Sequence, residues 1–173
     1  MRVHTLFRET WLPTDRTTAF EFFCSPFNLE RITPPELSFT VVDPPRGDLG
    51  EGVEIGYRLR LWGLGFKWRS VIRDWEPGFG FSDQALQSPY RFWLHEHTLA
   101  DRDSGTLMTD KVSYGLPLQP WGEMAHFLVR RQLERIFDFR EQTIQAIFSR
   151  DGDSEVDGKG SCPTREENPG STI

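Results

Sequence analysis

Cysteine is scarce in this chain: Cys24 and Cys162 are the only two in 173 residues. They lie far apart, one in a predicted helix and one in a polar tail, and match neither a disulfide framework nor a zinc-knuckle spacing. A reducing cytoplasm is therefore the expected compartment. Long apolar runs are missing too. Nothing approaches the roughly 18 residues of a membrane span, and the opening MRVHTLFRET has no apolar signal core. The expectation is no stable membrane insertion. Positive charge is not in excess: the formal net charge is −6, and arginines are spread rather than clustered, which argues against nucleic acid as a partner. There is no Gly-x-Ser-x-Gly elbow and no CxxC pair, so Ser–His–Asp hydrolysis has no support. The turn GDLGEG at 47–52 has no helix directly after it and fails the context a phosphate loop requires.

What the chain does have is rings. Aromatic residues make up 13%, with 6 Trp and 14 Phe, in a chain whose mean hydropathy is only −0.51. Large rings concentrated in a polar sequence suit a compact core or an apolar ligand cavity. The length allows one domain with a real core and is short for two.

The periodicities predict a first strand over Val3–Leu12 and a helix over Asp15–Phe23, capped by Asp15. Ser25-Pro26 breaks that helix, and Phe27–Ile32 forms a second short one that Thr33-Pro34-Pro35 ends. Strands follow over Leu37–Val42, Val53–Leu61, Phe66–Trp75, Phe79–Leu86, Tyr90–Leu99 and Thr106–Leu116, the last two separated by a polar loop at Asp101–Gly105. Pro117 and Pro120 close the strand region. One long helix then fits from Trp121 or Gly122 to Phe148, with Val129, Leu133, Ile136, Phe137, Ile144, Ile147 and Phe148 on its apolar face. Residues 150–173 carry almost no large apolar group and are expected to be a disordered polar tail. The fold class is α+β: a curved antiparallel sheet of about seven strands wrapped around a long C-terminal helix, in a single domain over 1–149.

Within WLHEH (93–97), His95 and His97 share a strand face with Trp93 and Leu99. The next strand offers Met108, Asp110, Val112 and Tyr114. Closing the hairpin through 101–104 sets His95 opposite Asp110 and His97 opposite Met108. Three readings stand: a metal site with Asp110 as third ligand, a His–Asp acid/base pair, or a satisfied polar pair. The last leads, and no metal or other cofactor is called for. Arg140 falls between Ile136, Phe137, Ile144 and Ile147, inside the apolar stripe. An unpaired guanidinium there is costly, so Arg140 pairs with Asp83 or Asp110, meets an acidic ligand group, or snorkels to the cavity mouth. His126 extrapolates to the same side of the helix. Asp83 is in phase with Phe79 and Phe81. The aromatics Tyr57, Phe66, Trp68, Phe79, Phe81, Trp93 and Tyr114 alternate along strands, either as core or as cavity lining.

Four stretches together, NLERITPPELSF (28–39), PYRFWLHEHTL (89–99), GTLMTDKVSYGLP (105–117) and LERIFDFR (133–140), resemble the ligand-binding SRPBCC proteins of the START-like, helix-grip superfamily. That superfamily includes polyketide cyclases and the birch-pollen allergen. The resemblance covers roughly residues 1–149. It departs at Ala85 and Ser88, where the family pattern has Gln and Gly, so a ligand contact made by that Gln is not expected here. It implies a helix-grip fold and a small hydrophobic ligand (lipid, isoprenoid, polyketide or aromatic) held between sheet and helix. The candidate ligand-binding residues are Tyr57, Trp68, Phe81, Asp83, Trp93, His95, His97, Asp110, Tyr114 and Arg140. Two alternatives remain: a polyketide cyclase or dehydratase using His95, His97 and Asp110 as candidate catalytic groups, and a protein-interaction module with a filled core.

Overall fold

The computed structural model describes residues 1–118 and 121–150. Pro120 and the tail from 151 onward lie outside the described residues. The chain begins with a strand, β1 (His4–Leu12), and then turns into α1 (Arg16–Phe23). Asp15 caps α1 as expected, accepting from the Thr18 amide at 2.9 Å. Replacing Asp15 with Ala removes that acceptor and is expected to lower stability by about 1 kcal/mol, read as a shift in urea midpoint at constant m. Helix α2 follows over Pro26–Arg31, with Pro26 at its first turn, where a missing N–H costs nothing.

Leu37 does not begin a strand, as its sequence suggested. It ends a 3₁₀ turn, Pro35–Leu37, and Ser38 takes a left-handed φ of 44° before β2 (Thr40–Asp43) starts. The paired prolines Pro34 and Pro35 favour that turn over an immediate extended run. Five longer strands then make a meander: β3 (Glu54–Leu61), β4 (Leu64–Glu76), β5 (Gly80–Gln87), β6 (Phe92–Arg102) and β7 (Gly105–Gly115). All neighbours are antiparallel, in the order β1-β7-β6-β5-β4-β3-β2, so β7 returns beside the first strand.

The expected polar loop at Asp101–Gly105 is instead a two-residue turn. Arg102 pairs with Gly105, and Asp103 and Ser104 both adopt positive φ. Small polar residues tolerate that conformation, so the strands extend up to the turn. Phe79 lies before β5, 52% exposed, with the Arg16 guanidinium 3.8 Å from its ring centroid rather than in phase with the core.

The expected single long helix is two pieces, α3 (Trp121–Met124) and α4 (His126–Arg150). Helix α4 thus includes Arg150, the first residue assigned to the tail. Val129, Leu133, Phe137, Arg140, Ile144 and Phe148 are its buried stripe. Val129, Leu133 and Phe137 pack with Leu6, Val112 and Tyr114; Ile144 and Phe148 pack with Leu12, Phe20 and Ile72 in a second cluster. Arg140 falls between the two. Cys24, buried at the end of α1, is disulfide-bonded, so the cysteines give no argument for a reducing compartment.

Candidate functional site

The β6–β7 register builds the site. His97 pairs with Asp110, His95 with Val112, and Leu99 with Met108. This is two residues away from the pairing expected from sequence. A shift of two preserves facing, so His95, His97 and Asp110 still converge on the side covered by α4. His95 now reaches Asp110 diagonally, its Nε2 2.8 Å from Oδ1. His97 Nδ1 is also 2.8 Å from that oxygen but is poorly aimed at it and is left without a hydrogen-bond partner. Arg140 reaches the same oxygen with Nη2 at 3.5 Å, while its Nε has no partner among the described residues. At 5% exposure Arg140 does not snorkel, and of the two carboxylates it meets Asp110.

Burial alone would raise the Asp110 pKa. The Arg140 charge and the contacts from His95 and His97 outweigh it and hold the carboxyl well below its usual range. His95 is pushed down to about 3, by burial first and by His97 second, against the hydrogen bond to Asp110. It is a neutral imidazole donating Nε2–H. Asp83 sits across β5–β6 from His95 in register. Its pKa is raised by burial, although the Ser70 hydroxyl, His97 and Arg140 pull the other way. Ser70 Oγ donates to Asp83 at 2.7 Å and accepts from the Trp68 indole at 2.9 Å. The wall therefore holds one carboxylate, one guanidinium, a neutral imidazole and a carboxyl that retains its proton above the ordinary range.

Two cavities flank this wall. The larger, about 130 Å³, is lined by Trp68, Trp93, His95, Tyr90, Phe39 and apolar groups of β3 and α4. The smaller, about 40 Å³, lies under α1 and α2 and is lined by Phe81, His97, Leu49, Ile72 and neighbours. Tyr57, Asp83 and Arg140 border both, as do Leu29 and Ile32. Eight of the ten sequence-selected residues thus line a cavity. Asp110 stands behind the histidines, and Tyr114 belongs to the core, its hydroxyl 3.2 Å from His126 Nε2. His126 in turn stacks on His4, with ring centroids 3.7 Å apart.

Sequence reasoning passed over Leu133, Ile136 and Phe137 as lining residues, although their helical spacing was visible. Nothing local marked Leu29, Ile32 or Phe39. The ligand atoms of His95, His97 and Asp110 all lie within 4.8 Å of one another, a spacing that could hold an ion. Arg140, beside Asp110, opposes a cation there.

Searching known proteins by fold gives many matches at low identity. The aromatase/cyclase ZhuI from Streptomyces sp. R1128 superposes with a TM-score of 0.72 at 11% identity, over 88% of this chain and 98% of that one. The chain has the helix-grip fold. The di-domain ARO/CYC StfQ from the steffimycin biosynthetic pathway matches at 0.69 and 14% identity, over 87% of this chain and 52% of its own. Ara h 8.0201 matches at 0.55 and 16% identity, over 84% and 99%. No protein family and no curated protein matches the sequence. Among the described residues, no helix of this helix-grip chain is long and apolar enough to cross a membrane.

Proposed function

We propose that the protein binds a small hydrophobic molecule carrying a neutral polar oxygen, in the larger cavity between sheet and α4. The observation that carries this reading is the composition of the wall: aromatic and aliphatic sides ending on a buried polar cluster that is not fully satisfied. An unpaired buried donor costs about 1–3 kcal/mol, which a ligand oxygen reaching the wall would recover. The charge balance favours a carbonyl or phenolic oxygen over a carboxylate, because Asp110 already neutralises Arg140. Size narrows the class. At about 130 Å³ the cavity falls short of the several hundred Å³ that would count against a filled-core module. It is comparable to the ~150 Å³ of an engineered apolar cavity that takes up benzene, so a small flat aromatic or a short chain is the expected occupant.

The test pairs native mass spectrometry of gently purified protein with titration of β-naphthol. Expected are an apolar passenger or saturable β-naphthol binding, and at least tenfold weaker binding in Ile136→Trp, which fills the cavity. A clean apo mass with no β-naphthol binding would favour the filled-core module instead.

One observation supports a second reading as an enzyme. His95, a neutral imidazole hydrogen-bonded to Asp110, lies directly across the strands from Asp83, whose carboxyl pKa burial raises. A carboxyl with a raised pKa facing a neutral imidazole on one wall suits proton transfer during ring closure or dehydration of a short β-ketone. His95→Ala is then expected to keep β-naphthol binding and lose turnover; undiminished turnover in that variant would sink the enzyme reading.

A further inference from the structure

Bulky apolar side chains stand in solvent at one end of the sheet. The β3–β4 hairpin tip carries Trp62 and Leu64, 64% and 65% exposed. Because every strand pair is antiparallel, that tip lies at the same end as the start of β6 and the finish of β7, where the chain enters α3 and α4. There Trp121, Met124, Phe127 and Leu128 are 74%, 71%, 67% and 51% exposed. Two exposed rings elsewhere have local partners: the Trp11 indole donates to the Arg102 carbonyl at 3.0 Å, and Phe79 lies under Arg16.

Backbone conformation makes the tip more pointed. Trp62 and Gly63 form a two-residue turn between paired Leu61 and Leu64, with φ of 50° and 81°. Asn or Gly suits the first position, and a tryptophan there is strained. Leu118, 80% exposed near the start of α3, also has a positive φ, 55°. Two bulky apolar residues are held in strained conformations facing water, a cost that packing inside the molecule does not offset.

Charge follows the same polarity. The chain as a whole carries −6. Yet Arg2, Arg58, Arg60, Lys67, Arg91 and Arg131, all exposed, lie toward this end with no ion pair among the described residues. The acids nearby are engaged: Glu36 by Arg135, Glu123 by His4, and Glu134 by Arg130. At the opposite end Asp15, Asp48, Glu51, Asp101 and Asp103 gather around the turns. There Arg73, Arg16 and Arg102 pair with Glu51, Asp101 and Asp103, so unpaired cations among the described residues concentrate toward the Trp62 end.

We propose that this end docks reversibly on an anionic lipid bilayer, with the Trp62 hairpin and the Trp121–Leu128 segment entering the headgroup layer. Tryptophans on two separate segments at one end of the sheet, with unpaired cations toward that end, suit a planar interface rich in negative charge. A second copy presenting the same end would set like charges face to face. The proposal goes beyond the ligand-binding reading and does not depend on it. The two connect at Leu61, which lines the larger cavity beside Trp62, so a water-poor ligand would exchange with the bilayer at that end.

The experiment is co-sedimentation of the full chain, with no ligand added, with vesicles of phosphatidylcholine alone or mixed with phosphatidylglycerol. Expected is binding to the mixed vesicles at low salt that weakens as salt rises. Trp62→Asn combined with Phe127→Ala is expected to weaken it at least tenfold without lowering the melting temperature. Arg60→Ala and Arg131→Ala should each weaken it about fivefold, and Phe79→Ala, at the opposite end, should leave it unchanged. No binding to either vesicle overturns the proposal, as does binding that ignores the Trp62/Phe127 change. Capture by polyglutamate in place of vesicles also overturns it and points to an acidic protein partner. A failed β-naphthol titration would leave the vesicle result standing, so the two readings fail separately.

Discussion

Asp110→Asn is expected to destabilise the protein by about 3–5 kcal/mol, because it leaves the Arg140 guanidinium buried without its countercharge. Asparagine keeps the shape, so the loss isolates charge from packing. Asp110 is 2% exposed and Arg140 5%, so water cannot substitute for the missing carboxylate. The ring faces of Phe23 and Phe137, 5.4 and 5.9 Å from the guanidinium carbon, soften the cost only slightly. Removing both charges, in Asp110→Asn with Arg140→Met, is expected to cost less than the sum of the single changes. A coupling of roughly 1–3 kcal/mol in that double-mutant cycle is the signature of the pair. Urea titrations of the four proteins decide it. An Asp110→Asn variant within about 1 kcal/mol of the parent would mean that Asp83 takes over the countercharge.

The second large effect is acid sensitivity through His95. Its folded pKa of about 3 lies below the ordinary 6.5. As pH falls from 6.5 toward 3, the unfolded chain takes up a proton that the folded chain refuses, and stability drops. At about pH 5 the loss amounts to about 2 kcal/mol, and it grows further below. Asp110 acts in the same direction at lower pH: its depressed pKa contributes stability that is present above 3.8 and lost as pH falls beneath it. Asp83 runs the other way. Its raised pKa contributes stability that is complete below 3.8 and lost as pH rises through the folded value, which flattens the profile above that point. His95→Gln cannot take up the proton and is expected to remove the slope between 6.5 and about 5, leaving the Asp110 limb at lower pH. Melting temperature measured across pH for parent and variant reads this directly. Equal slopes in the two proteins would show that His95 is not the group responsible.

Much of this arrangement was legible before any coordinates. Period-two alternation in β6 and β7 places His95, His97 and Asp110 on one face, because successive side chains in a strand point to opposite sides. Helical spacing places Arg140 inside the stripe that runs from Val129 to Phe148, and burial energetics then demand a partner. Asp15 reads as a cap, and its bond to Thr18 bears that out. These are local rules, and they operate on residues a few positions apart.

What stayed hidden depended on backbone torsions or on distant segments. The β6–β7 register shifted by two because Asp103 and Ser104 accept left-handed φ and shorten the turn. Leu37 left its strand because Ser38 also turned left-handed. The choice of Asp110 over Asp83 for Arg140 follows from where α4 crosses the sheet, which no helical wheel contains. Tyr114, in phase with the site, was drawn into the core by Val129 and Leu133, and Leu29 and Ile32 became cavity lining only when α2 folded over the sheet. By itself the sequence determined the elements, their buried faces and the charge that must be paired, since those follow from periodicity and desolvation. Only the tertiary structure decided which carboxylate pairs it, how large the cavity is and which end exposes its tryptophans. Those depend on distances between segments far apart in the chain.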